Sequence, residues 1–373
     1  MEARRVKDVS TSLIRKMFEA VERAKKEGRD IVSLAIGEPD FPTPPEVVEK
    51  AIEAIRAGYT HYTSNLGIEE LRSAIADSYG VSKENVMVTA GGSEALMNAS
   101  LAFIEEGSKV VIFSPSFLSY FTYAKICGAK VVEIRTHENG FVPDLEAFSE
   151  LIDRDVRLVF INYPNNPTGV IADARVLEGI VEIAMDYGAI VISDEIYDKI
   201  YYDKKPRTLV DYENVIVVNG FSKSLAMTGW RIGYVVAREE LLNSMLKVHQ
   251  VNGVCAPAFA QKAVAEVMLS GEFDRIVSRM VSEFRKRRDY VYRELSKLYR
   301  IVKPEGAFYM FMDVRENCMD YAEKLVDYGV AVTPGVAFGS GNERFVRISY
   351  ANSMENLEKA VERIKAYHDS KTS

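Results

Sequence analysis

The chain runs to 373 residues, 47% of them hydrophobic, with 47 Lys and Arg against 54 Asp and Glu for a formal net charge of −7. A chain this long suits two hydrophobic cores rather than one, and its acidic balance argues against a nucleic-acid partner, which calls for a basic stripe. No apolar run reaches the ~18 residues of a membrane helix, and Met1-Glu2-Ala3-Arg4-Arg5 leads into no apolar signal segment, so the cytoplasm is the expected location.

In chain order, residues 10–28 read as a helix, with Leu13, Ile14, Met17, Phe18 and Val21 at helical spacing and Gly28 as its stop. The short apolar run 31–36 ends in Gly37-Glu38-Pro39-Asp40-Phe41-Pro42-Thr43-Pro44-Pro45, stiffened by its prolines. Strand-like runs then alternate with helical stretches: 86–89, 109–113, 130–134, 157–161, 189–193, 215–218 and 233–237. Most are β-branched and continuous, as in a sheet buried on both faces. Alternation with helices implies α/β order and right-handed crossovers. Residues 240–297 read as largely helical. A smaller α+β part follows, with strands at 307–311, 330–332 and 345–349 and a closing helix at about 354–368. Gly339-Ser340-Gly341 has no helix pattern after it and reads as a turn.

Cys127, Cys255 and Cys318 are odd in number and far apart, which fits reduced thiols better than a disulfide frame. The four histidines, His61, His137, His249 and His368, show no ligand spacing, so no metal is expected. Gln occurs only at 250 and 261 while Lys, Arg and Glu are plentiful, a composition that leans toward a thermophile.

In open α/β sheets ligands bind beyond the carboxyl ends of the strands. Five strand ends here lead into polar segments: Gly91-Gly92-Ser93-Glu94, Ser114-Pro115-Ser116-Phe117, Asn162-Tyr163-Pro164-Asn165-Asn166-Pro167-Thr168-Gly169, Asp194-Glu195-Ile196-Tyr197 and Asn219-Gly220-Phe221-Ser222-Lys223-Ser224. A lone lysine is usually a solvated charge. Lys223, directly after an apolar strand, is placed to lose its proton by burial and attack a carbonyl. Asp194 alone would read as a helix cap, Tyr197 as core, and Asn166 as a turn residue before Pro167.

The stretch 219–234, with Ser222-Lys223-Ser224 and Met227-Thr228-Gly229-Trp230-Arg231-Ile232-Gly233-Tyr234, resembles the pyridoxal 5'-phosphate (PLP) lysine signature of class I aminotransferases. The likeness extends over nearly the whole chain. It takes in Gly37-Glu38-Pro39-Asp40-Phe41, Tyr62 before Gly67 and Glu70-Leu71-Arg72, the Gly91–Glu94 turn, Asn166-Pro167-Thr168-Gly169, Asp194-Glu195-Ile196-Tyr197 and Val346-Arg347-Ile348-Ser349-Tyr350. It is closest to the aspartate and aromatic aminotransferases of thermophilic prokaryotes.

The resemblance implies a fold-type I PLP transferase: a mostly parallel seven-stranded sheet flanked by helices, with a smaller α+β domain. The expected division is residues 40–270 as the large domain, with 1–39 and 271–373 forming the small one. It also implies roles. Lys223 carries PLP as a Schiff base and then shuttles the substrate α-proton in a ping-pong exchange between an L-amino acid and a 2-oxo acid such as 2-oxoglutarate. Asp194 meets the pyridine nitrogen, Tyr197 and Asn166 the phenolic oxygen, and Phe117 stacks on the ring. Gly92, Ser93, Glu94 and Arg231 hold the phosphate, joined by Tyr62 from a second subunit of a homodimer. Arg347 clamps the substrate carboxylate beside Gly37.

The pattern departs at Gly220, where many members carry a phosphate-binding serine, and Ser222 or Ser224 is the expected substitute. Side-chain specificity is left between aspartate/glutamate and aromatic donors, with the 14–18 region and the 252–257 loop as pocket candidates. A C–S β-lyase shares the fold and the lysine and is the main rival. A non-catalytic, aminotransferase-like binding module is disfavoured by the short segment before Gly37.

Overall fold

In the computed structural model the described residues are 2–7, 9, 21, 23 and 26–371, so most of the helix expected at 10–28, and the whole 14–18 pocket candidate, lie outside them. Thirteen strands are described. They are β1 (Val32–Ser33), β2 (Val86–Thr89), β3 (Lys109–Ser114), β4 (Lys130–Arg135), β5 (Val156–Asn162), β6 (Ile190–Asp194), β7 (Val215–Gly220), β8 (Gly233–Val236), β9 (Arg300–Ile301), β10 (Tyr309–Asp313), β11 (Val330–Ala331), β12 (Thr333–Pro334) and β13 (Phe345–Ser349).

Seven of them form one sheet in the order β2-β8-β7-β6-β5-β3-β4. β8 runs antiparallel to both neighbours and the other pairs are parallel. The seven runs expected from the sequence are these seven strands: 86–89 coincides with β2, and the ends of the others differ by no more than two residues. Their continuous apolar character has a direct cause. Successive residues of β3 serve two different cores, Val111 and Phe113 one, Val110 and Ile112 the other. Val159 with Ile161 and Leu158 with Phe160 divide in the same way on β5. Helices cover both faces, so neither set can be polar.

The smaller sheet is antiparallel, in the order β12-β13-β10-β9. Two expectations shift here. The strand expected at 307–311 is Tyr309–Asp313, because Ala307 takes a left-handed φ of 53° and its N–H bonds to Ile200 O instead of a ladder. The run expected at 330–332 is β11, Val330–Ala331, which pairs with β1, and the chain directly after it forms β12 and pairs with β13 in the other sheet. Phe273–Leu295 is a 23-residue helix that spans both parts. Its Ile276 and Val277 join the large core, and Phe284, Val291 and Leu295 join the small one. The helix Met354–Asp369 closes the chain. No helix among the described residues is long and apolar enough to cross a membrane.

Candidate active site

The carboxyl ends of β5, β6 and β7 converge. Asp194 ends β6 and is 6% exposed. The Tyr120 hydroxyl donates to its Oδ2 at 2.6 Å, and the Ile196 N–H to its Oδ1 at 3.2 Å. Burial pushes this acid up to about 6, and those hydrogen bonds hold it from rising further. Asn162, at the end of β5, donates to Asp194 O at 2.8 Å and so ties the two strand ends together.

Directly after β7, the short helix Phe221–Ser224 carries Lys223. Its ammonium donates to Gly37 O at 2.7 Å. Burial lowers it to about 8, with Glu38 opposing and Arg347 and Arg231 reinforcing the shift. An amine held there is free in roughly a tenth of molecules at pH 7 and in half of them at pH 8, whereas an ordinary lysine is almost wholly protonated at both.

Two anion-accepting ends flank this amine. At one, Arg347 on β13 is 2% exposed. It donates to Asn166 Oδ1 at 3.0 Å and Ala35 O at 2.6 Å, and its guanidinium lies 4.6 Å from the Tyr309 ring centre. Its Nε has no partner, and among the described residues no carboxylate pairs with it. A buried cation without an acid is costly unless an anion arrives. Gly37 keeps the approach open, since a Cβ there would stand 2.7 Å from the Tyr309 hydroxyl.

At the other end, β2 leads into the helix Gly92–Phe103, whose first N–H groups are unpaired by the helix itself. Arg231 lies against this turn, donating to Ala90 O and Thr228 O. Only glycine allows such closeness: a Cβ on Gly91 would be 2.5 Å from Arg231 Nη2, and Gly91 sits at φ 88°.

A cavity of about 320 Å³ joins these groups. Of the residues singled out in the sequence, Gly37, Gly92, Ser93, Phe117 and Asn166 line it. So do Asp194, Tyr197, Ser222, Lys223, Arg231 and Arg347. Two do not. The Glu94 side chain turns away from the cavity to Ala90 N, Asn98 and His249, because the start of its own helix offers an N–H to cap. Tyr62 is 84% exposed and stands outside the cavity.

Gly220 has a steric reason: a Cβ there would meet Gly233 Cα and Ile232 O at 2.9 Å, so serine does not fit. Ser222 is the hydroxyl at the cavity, while Ser224 Oγ turns back toward Gly220 O.

Sequence reasoning passed over three residues. Tyr120 holds Asp194. Tyr309 contacts the Tyr197 hydroxyl at 2.8 Å and underlies Arg347. Asn162 braces Asp194. Tyr309 sat inside the run 307–311, read as a strand, and only the cross-sheet geometry distinguishes it. Asn162 was visible as a polar strand end. Among the described residues no cluster of three or more His, Cys, Asp or Glu could hold a metal, and Cys127, Cys255 and Cys318 are free thiols.

Residues 29–364 match the family model described as aminotransferase class I and II. The chain is 41% identical to a probable aspartate aminotransferase of Methanocaldococcus jannaschii, over 98% of this chain and 99% of that one. It is 40% identical to an aspartate aminotransferase of Pyrococcus horikoshii, over 97% and 96%. Its fold superposes on the aspartate aminotransferase of Thermus thermophilus with maleate at a TM-score of 0.95, with 36% identity over 98% and 99% of the two chains. With that likeness along its full length and a partly buried amine between two anion-accepting ends, the chain belongs to the class I and II aminotransferases and is an enzyme of amino-group transfer.

Proposed function

We propose that this aminotransferase carries PLP on Lys223 and exchanges amino groups between an aspartate-, glutamate- or aromatic-type L-amino acid and a 2-oxo acid such as 2-oxoglutarate. The observation that carries the reading is Lys223 itself: a partly buried amine, lowered to about 8, in a cavity with an anion cradle at one end and a buried arginine without an acidic partner at the other. PLP fits these residues. Lys223 would anchor its aldehyde, Gly92, Ser93, Ser222 and Arg231 its phosphate, and Asp194 its ring nitrogen. Tyr197 and Asn166 would serve the phenolic oxygen, and Phe117 would be the ring's aromatic wall.

When bound, the cofactor supplies an electron sink for the charge left on the substrate α-carbon after proton loss. The chain's residues do the rest. Arg347 binds the α-carboxylate and, with Gly37, orients the α-carbon toward Lys223. With its amine free, Lys223 would take the substrate α-proton and later return it, as base and then acid. Asp194 stays ionised opposite a cationic ring nitrogen, since an opposite charge counters the burial that raises it.

Donor choice follows the relatives, several of which carry aspartate or aromatic aminotransferase names. Tyr62 is read as serving the cavity of a second copy, which makes a homodimer the working unit; its exposure supports this. The division into 40–270 and 1–39 with 271–373 is supported by the two cores, and the free thiols fit a cytoplasmic setting. Borohydride reduction of the PLP-loaded protein, followed by peptide mass spectrometry, is expected to find one pyridoxyl adduct, on Lys223. An adduct on another lysine, or none, removes the assignment.

A further inference from the structure

Behind the anion cradle lies a buried polar chain that none of the roles above uses. His249, near the end of the helix Glu239–Asn252, is 0% exposed. Its Nδ1 is 2.6 Å from Glu94 Oε1, and its Nε2 is buried without a partner. The other oxygen of Glu94 accepts the Ala90 N–H at 2.5 Å. The carbonyl of that same residue, Ala90, accepts from Arg231 Nη2 at 3.3 Å. Three groups therefore connect a buried imidazole to the arginine of the cradle. Asn98 donates to Glu94 Oε1 at 3.0 Å and receives Asn252 Nδ2 at 3.1 Å, which locks the two helices side by side. Gly253 completes the fit, because a Cβ there would lie 2.5 Å from Glu94 Oε1.

The placement creates an electrostatic problem. Burial alone would raise the Glu94 carboxyl, but its bonds to His249 and Ala90 N–H hold it below the usual carboxylate range, so it is charged at neutral pH. A carboxylate in the first turn of a helix competes with any phosphate for the same positive end. Left free, the Glu94 side chain could swing toward the N–H groups that a phosphate needs. The bond from His249 requires a proton on Nδ1 when Glu94 is ionised, and it draws the carboxylate to the rear of the turn.

We propose that His249 is a positioning residue for the phosphate-binding turn, acting through Glu94 and the backbone N–H and carbonyl of Ala90 to keep the cradle open and Arg231 in place. This rests on the PLP reading and deepens it.

The test separates the phosphate from the rest of the cofactor. The apo form of each variant is titrated with PLP and with pyridoxal, which lacks the phosphate, by absorbance. H249L is expected to weaken PLP binding by about tenfold or more, the loss of one charge-assisted hydrogen bond, with pyridoxal binding within about twofold of wild type. H249N, whose amide can donate near the Nδ1 position, is expected to recover most of the PLP affinity. E94A loses the tether to Ala90 but also removes the competing carboxylate, so it should show a PLP-specific loss smaller than that of H249L. Adding H249L to E94A should then cost less than about twofold more, because both act through one chain of contacts. If H249L does not fold, E94A alone carries the comparison between the two vitamers. Unchanged PLP binding in H249L, equal losses for PLP and pyridoxal, or additive losses in the double variant would each overturn the proposal. A wild type that binds pyridoxal as tightly as PLP would instead overturn the phosphate assignment itself.

Discussion

Arg347, buried, and Lys223, partly buried, are two cations of one cavity, and they meet the loss of water differently. A guanidinium keeps its charge, so Arg347 waits for an anion, whereas an amine can shed its proton. Replacing Arg347 by alanine is expected to raise KM for every amino donor by about 10- to 100-fold, the worth of lost charge-assisted hydrogen bonds. Steady-state kinetics on a donor panel checks this, and an unchanged KM would free Arg347 from the carboxylate. For Lys223 the sign runs the other way: with its folded value lowered to about 8, the reactive free amine appears on raising the pH through 8. In the apo protein, brief pulses of an aldehyde with cyanoborohydride should label Lys223 with a midpoint near pH 8. A midpoint near that of surface lysines would contradict the burial argument. Lys223, Arg347 and Asp194 were legible in the sequence because their neighbours form motifs. Tyr120 was not, because nothing local marks a tyrosine that meets Asp194 from a helix 74 positions away.

At the level of elements, the cradle depends on a crossing of backbones. Gly233 begins β8, and a Cβ there would lie 2.6 Å from Gly91 C and Gly92 N. Backbone cannot yield as a flexible side chain can, so Gly233→Ala should cost about 1–3 kcal/mol of stability, as overpacking does, and should weaken PLP binding by moving the turn. Gly229→Ala is the control, since nothing lies within 4 Å of a Cβ there. A thermal melt and a PLP titration on both variants decide the matter; equal behaviour would mean that the turn tolerates displacement. The strands were readable from the sequence because each residue on them faces one of two cores. The strand at Tyr309–Asp313 began two residues later than its apolar run, because Ala307 turns left-handed to bond with Ile200. Hydropathy does not report φ.

Across the whole molecule, the two cores meet along the segment that carries Gly37. Arg287 on the long helix is buried, pairs with Asp40 at 2.6 Å and Glu283 at 3.3 Å, and lies 4.7 Å from the Phe41 ring centre. It fastens the Gly37–Phe41 loop to the helix that spans both parts. Arg287→Ala should destabilise the fold by about 1–3 kcal/mol, less than a fully buried pair because Asp40 retains some water. It should also speed amide exchange in residues 37–45. Unchanged exchange in that loop would show that the prolines alone hold it. The sequence by itself determined the seven strands, the polar segments that end them and the family likeness, because periodicity, turn chemistry and motifs are local and survive in one dimension. Only the tertiary structure decided that Glu94 faces away from the cavity, that Gly220 leaves no room for serine, and that Tyr120, Tyr309 and His249 stand behind the reactive groups. Those outcomes depend on distances between segments far apart in the chain, and such distances exist only once the sheet and its covering helices have packed.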